Sequence, residues 1–255
     1  MRDASIACVC LLWVGTLTAV AAESDLDGRT IVARAHAAAG GDPWLAADTN
    51  VLKGTAVLCR GGVAAYCIES ERYEMYRVYP RQLRAAHAGS GKFRLDAYRN
   101  GRILFTSAFD GQRSYDQNGP LPEDKARAVE TNAYGFSAIR FALEPGFEIE
   151  RLVDDQVEGH PSHFVRVTDP AGGRTIFGID ASDYSIRLAG WQTDQGWHER
   201  VYSDFYRVGE ADFLQPGRVR FYYDGVKSVD IHWTSAAIGT PIPDETFVVA
   251  AREPS

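Results

Sequence analysis

Runs of five or more like charges are absent from this 255-residue chain, and its formal net charge is −7. A mildly acidic chain without basic blocks offers neither counterion release to nucleic acid nor a polybasic anchor for anionic lipid, so nucleic acid is excluded as a partner. Glycine-rich phosphate loops are missing too: neither Gly-x-x-x-x-Gly-Lys nor Gly-x-Gly-x-x-Gly stands between a strand and a helix, which removes the common nucleotide-binding modes. There is no Gly-x-Ser-x-Gly nucleophile elbow and no His-Glu-x-x-His zinc motif. No cofactor is called for. Cysteine is scarce, with four residues, and methionine scarcer, with two.

What is present is a packed-protein composition, 45% hydrophobic and 24% charged, long enough for one large domain with a substantial core. Residues 4–22 are uncharged and largely apolar, follow Arg2, and end in Ala19-Val20-Ala21-Ala22 before Glu23. Small residues before the acidic start of the mature chain fit a secretory signal peptide cut after Ala21 or Ala22. The expectation is a leader over residues 1–22 and a single exported domain over residues 23–255. Cys8 and Cys10 leave with the leader. Cys59 and Cys67 remain, and an even pair in an oxidising compartment predicts a disulfide, closed by the glycines between them. So short a loop contributes about 2 kcal/mol at most.

Along the mature chain, residues 30–39 read as an Ala-rich helix stopped by Gly40-Gly41. Asp42 is the expected N-cap and Pro43 the first position of a short second helix. From Val51 the period changes to two. Tyr73, Met75 and Tyr79 share one face; Phe93, Leu95 and Ala97 share another; Ile103, Phe105, Ser107 and Phe109 form a third stripe. Asn100-Gly101, Asp110-Gly111 and Asn118-Gly119 are turns, so these strands form an antiparallel meander. A helical period returns only over residues 123–143, with Phe136 and Ile139 among its apolar positions. A second β run then continues almost to the end, turning at Gly172-Gly173, Asp194-Gln195-Gly196 and Asp224-Gly225.

The fold class expected is α+β: one large antiparallel sheet, curled into a half-barrel, with a few helices covering its concave face. Several strands are apolar on one face and charged on the other, as Val229, Ile231 and Trp233 against Asp230 and His232. So little helix over so much sheet leaves room for a cavity. The candidate cavity residues are the aromatic and aliphatic stripes: Phe93, Leu95, Ile103, Phe105, Phe109, Phe136, Ile139, Phe164, Phe177, Phe205, Phe221 and Trp233.

Catalytic candidates are few. His198 and His232 sit on strands and, if both face the polar side of paired strands, could meet a carboxylate such as Glu199. That trio is the basis of an alternative reading as an envelope hydrolase. Most aspartates occupy turns, where their side chains bond their own backbone.

Four stretches together resemble a known family. They are residues 37–45 (AAAGGDPWL) followed by Leu52-Lys53-Gly54-Thr55; residues 109–115 (FDGQRSY); residues 200–206 (RVYSDFY) with 214–219 (LQPGRV); and residues 241–247 (PIPDETF). Their order is similar to that in periplasmic proteins of the LolA/LolB-like, outer-membrane lipoprotein-carrier superfamily. The resemblance implies a curved half-barrel capped by helices that holds acyl chains or another apolar ligand without a cofactor or metal. It implies a periplasmic carrier whose partners are a lipid or other apolar small molecule and an envelope membrane protein that delivers or receives it. This chain is longer and more acidic than dedicated lipoprotein carriers and adds the segment from Cys59 to Cys67, differences that bear on cargo. A packed, non-catalytic envelope module is the remaining alternative.

Overall fold

A computed structural model describes residues 26–59, 66–80, 91–123, 137–194 and 196–251. Residues 1–22, expected to be a leader, Phe136 and most of the 123–143 segment lie outside the described residues.

The chain begins with α1 (Gly28–Ala39) and α2 (Gly41–Ala46). Asp27, just before the predicted start, caps α1 by accepting from the Thr30 amide at 2.7 Å. Gly40 ends α1 at φ +132° and is itself the N-cap of α2, so Asp42 lies inside the first turn instead of capping it. Next come β1 (Thr49–Cys59), β2 (Cys67–Val78), β3 (Lys92–Arg99), β4 (Arg102–Phe109), β5 (Ser114–Asp116) and β6 (Gly119–Pro120). The short α3 (Ser137–Phe141) separates these from β7 (Glu148–Arg151), β8 (Asp155–Val157), β9 (His160–Thr168), β10 (Arg174–Asp180), β11 (Ile186–Thr193), β12 (Gly196–Val208), β13 (Phe213–Tyr223) and β14 (Val226–Ile238). A 3-10 turn, Asp244–Phe247, follows.

All 14 strands among the described residues belong to one open antiparallel sheet, ordered β6-β5-β4-β3-β2-β1-β14-β13-β12-β11-β10-β9-β7, with β8 added onto β9. The two meanders predicted from the turns are therefore joined through the first and last strands, with Leu52 beside Ala236 and Ala56 beside Ile231. At the β3–β4 turn Asn100 and Gly101 both have positive φ, 53° and 71°, the pair of left-handed residues a tight hairpin needs. Cys59 and Cys67 are paired neighbours on β1 and β2 and form the expected disulfide.

The helices are tied to each other by polar contacts. His36 of α1 donates from Nε2 to the Ile139 carbonyl of α3 at 2.6 Å. Arg140 of α3 donates to the carbonyls of Leu45 (3.0 Å) and Ala47 at the end of α2, placing a cation where the helix dipole favours one. Helix α1 packs against β7, β9 and β13. Its Ile31, Val32 and Ala35 join Val165, Val167, Phe177 and Ile179 in a core with essentially no exposure. That half of the sheet is filled by packed side chains. The other half also contributes buried residues to the core, such as Leu52, Tyr73 and Ile231, but they border a cavity.

Candidate functional site

A cavity of about 260 Å3 lies among β1–β4, β12–β14, α2 and α3, close to the lower end of the ~300–1,000 Å3 range usual for small-molecule sites. Strand alternation builds its wall. Asn50 and Leu52, Tyr73 and Met75, Phe93 and Leu95, Phe105 and Ser107, Arg200 and Tyr202, Val219 and Phe221, and Ile231 and Trp233 are all lining pairs two residues apart, hence on one face. Trp44 of α2 and Arg140 of α3 complete it. Tyr73 is the aromatic hub: its ring lies 5.6 Å from Trp233 and 6.4 Å, edge-on, from Phe105. Burial raises the Tyr73 hydroxyl well above its usual pKa, opposed only by the charge of Arg200. Burial likewise pushes Tyr202 up to about 12 against the same charge.

Of the residues singled out from sequence, Phe93, Leu95, Phe105, Phe221 and Trp233 line the cavity. Phe109 lies beside Phe93, ring centroids 6.5 Å apart, and is buried in its own right. Ile139 and Phe177 belong to the packed core that includes α1. Phe205 borders a smaller recess with Ala35, Ala39 and Leu214. Phe164 alternates with the core residues Val165 and Val167 and packs beside Gly178. Ile103 is 39% exposed. Its pairing explains why: Ala97 faces Phe105 while Tyr98 faces Ile103, so Leu104 is an extra residue in β4. This bulge reverses the alternation and turns Ile103 outward.

The meeting of His198, Glu199 and His232 that the alternative hydrolase reading requires does not occur. His198 is fully buried and shares its strand face with Arg200 and Tyr202, two and four residues on. His232 lies between the lining residues Ile231 and Trp233, points the other way, and its side chain is 51% exposed. The two are on opposite faces. Glu199 is occupied by the Trp197 indole N–H at 2.7 Å. Among the described residues no group of three or more His, Cys, Asp or Glu could hold a metal.

His198 has a defined place instead. Its Nδ1–H donates to the Tyr222 carbonyl at 3.1 Å, which leaves the Nε2 lone pair to accept from Arg200 Nε at 3.2 Å. Rings of Trp191, Phe221 and Tyr223 surround the imidazole at 4.5–5.4 Å. Burial, then the Arg200 charge, lowers the His198 pKa to about 3, only partly offset by the Tyr222 carbonyl. The ring is thus neutral at physiological pH and acts as an acceptor.

The feature that sequence reasoning missed is a set of lining arginines: Arg77, Arg140 and Arg200. Arg200 stacks over Phe221 (4.5 Å) and Trp191 (5.1 Å), and Arg140 over Tyr79 (4.5 Å) and Trp44 (4.7 Å). A strand-borne arginine usually faces water. The available signal was parity, since Arg77 shares phase with Tyr73 and Met75.

The opposite face of β13–β14 is conventionally ionic. Asp230 accepts from Arg218 at 2.7 and 2.9 Å and from Lys227 at 3.1 Å. Burial alone would raise its carboxyl, but these donors bring it down to about 2.

No family model and no curated protein sequence matches this chain. Solved structures do. A Vibrio parahaemolyticus domain described as an outer membrane lipoprotein-sorting protein superposes with a TM-score of 0.52 at 11% identity, over 86% of this chain and 95% of that one. A LolA superfamily protein from Nitrosomonas europaea gives 0.51 at 9% identity, over 88% and 98%. A DUF1329 family protein from Desulfovibrio piger gives 0.53 at 9% identity, over 86% and 95%. In fold, this chain is similar to these lipoprotein-sorting and LolA-superfamily structures.

Proposed function

We propose that the protein is an exported, periplasmic carrier or binding protein for a lipid or another apolar ligand. In this reading residues 1–22 are a cleaved leader and residues 23–255 form one domain. One observation carries the proposal: an aromatic-walled cavity of about 260 Å3 on one face of a LolA-like sheet. Burial of ligand surface against Phe93, Phe105, Phe221 and Trp233 supplies affinity at about 25 cal/mol per Å2. An envelope membrane protein that loads or unloads the cargo is the expected partner, and neither metal nor cofactor enters.

The test is native mass spectrometry of protein recovered from its export compartment, followed by organic extraction of anything bound. A stoichiometric apolar molecule is expected. Phe105→Asp should reduce uptake of added lipid at least about ten-fold, because a carboxylate in an apolar wall opposes burial of the ligand. A mass without ligand, together with no uptake of added lipids by the wild type, overturns the carrier reading.

A further inference from the structure

The cavity has a polar end and an apolar end. Across the sheet, Asn50 of β1 is level with Arg77 of β2, whereas Gly54 of β1 is level with Tyr73 and Trp233. At about 3.3 Å per residue, the strand between Asn50 and Gly54 sets the two levels about 13 Å apart. Tyr73 packs against Phe105 and Trp233 at the apolar level, ring centroids 6.4 and 5.6 Å away. Arg140 reaches the polar level from α3, where it donates to the carbonyls of Leu45 and Ala47, just ahead of β1.

Two buried atoms of this polar end have no hydrogen-bond partner, Asn50 Oδ1 and Arg140 Nε. Both side chains line the cavity, and both residues are only 8% exposed. Buried polar atoms are paired in nearly every native fold, because an unpaired one gives up its water without return. Here one is an acceptor and the other a donor. The charge of Arg140 is met by other groups. Main-chain carbonyls accept from it, and the rings of Trp44 and Tyr79 lie under it at 4.7 and 4.5 Å. Burial and Arg77 lower its pKa, and Tyr79 and Asp48 oppose them. What remains to be satisfied is therefore neutral: an acceptor for Nε–H and a donor for Oδ1. A carboxylate, an ether or an ester supplies acceptors alone, and a hydrocarbon supplies neither. A hydroxyl is the smallest group that supplies both.

We infer that the cavity takes an uncharged, hydroxyl-headed amphiphile, its oxygen accepting from Arg140 Nε and its O–H donating to Asn50 Oδ1. Its hydrocarbon runs toward Tyr73, Phe105 and Trp233. The inference rests on the carrier reading and narrows it to a ligand class.

The experiment is displacement of the apolar dye 1-N-phenylnaphthylamine from the purified protein by 1-dodecanol, dodecyl methyl ether and dodecanoate at pH 7.5. Burial alone ranks the ether above the alcohol, since it adds a methyl group and has no O–H to strip of water. A tighter alcohol thus reports a bond made by its O–H. Dodecanol is expected to bind about five-fold or more tighter than either the ether or dodecanoate, because both leave Asn50 Oδ1 buried and unpaired. Asn50→Leu should bring alcohol and ether to within about two-fold, or reverse their order, while dye uptake persists. An ether or a dodecanoate that binds the wild type as tightly as dodecanol overturns the inference and leaves the carrier reading standing. So does a folded Asn50→Leu variant with its alcohol preference intact. Absence of both dye uptake and displacement overturns both readings. The wild-type comparison decides the matter even if the variant does not fold.

Discussion

His198 illustrates how a single residue changes meaning once its surroundings are known. On the sequence it is a strand histidine next to a carboxylate; in the fold it is a neutral acceptor enclosed by aromatic rings. Its folded pKa, about 3, lies below the ordinary value of 6.5. The unfolded chain therefore binds a proton between those values that the folded chain refuses. Stability from this residue is fully present above pH 6.5 and declines as pH falls toward 3, with a limiting slope of about 1.4 kcal/mol per pH unit. His36 acts in the same direction, lowered mainly by burial. Asp180 and Asp230, both held down to about 2, contribute stability present above their ordinary 3.8 and lost only as pH falls through about 2. Urea unfolding at pH 7.5, 6 and 5 should show a falling midpoint, flattened by His198→Gln. Equal stability at pH 7.5 and 5 would contradict this account.

Among the secondary-structure elements, the strands were legible and their interruptions were not. Period-two stripes and Asn-Gly or Asp-Gly turns located most of the two β runs, because alternation and left-handed turn residues are properties of the local chain. The bulge at Leu104 escaped because an extra residue leaves the apolar run Ile103-Leu104-Phe105 looking continuous. Gly54 is a similar case. It stands where the register of β1 shifts against both neighbours. A Cβ there would fall 1.9 Å from the His232 carbonyl oxygen and 2.9 Å from the Trp233 Cα. Gly54→Ala must push β14 away and is expected to cost about 1–3 kcal/mol or more. Chemical denaturation checks it; a loss below about 0.5 kcal/mol, the level of an ordinary surface change, would show that β1 and β14 separate readily at this point. Because Trp233 lines the cavity, the same variant should also weaken ligand uptake.

For the whole molecule, the β1–β14 seam is the decisive feature. It makes two meanders, separated in sequence by α3, one continuous sheet. Trp44, Trp191 and Trp233 are buried at widely separated positions in the chain, so tryptophan fluorescence and far-UV circular dichroism should report a single coincident unfolding transition. Two resolved transitions would mean that the meanders fold separately and that the seam contributes little.

Composition, periodicity and turn residues by themselves determined the β-rich class, the strand faces, the Cys59–Cys67 pair and the resemblance to the LolA-like fold, since each depends on neighbours in the chain. Five of the twelve residues picked as cavity candidates line the cavity for the same reason: alternation fixes which way Phe93, Leu95, Phe105, Phe221 and Trp233 point. Which apolar stripes pack and which face open space was a tertiary decision. Helix α1 joins Phe177 and Ile139 in a filled core, and no local signal states where a helix docks. The arginines belong to the tertiary level too. Only when β2, β12 and α3 come together do Arg77, Arg200 and Arg140 enter one cavity, because proximity among residues far apart in sequence is created by strand order, not by the residues themselves.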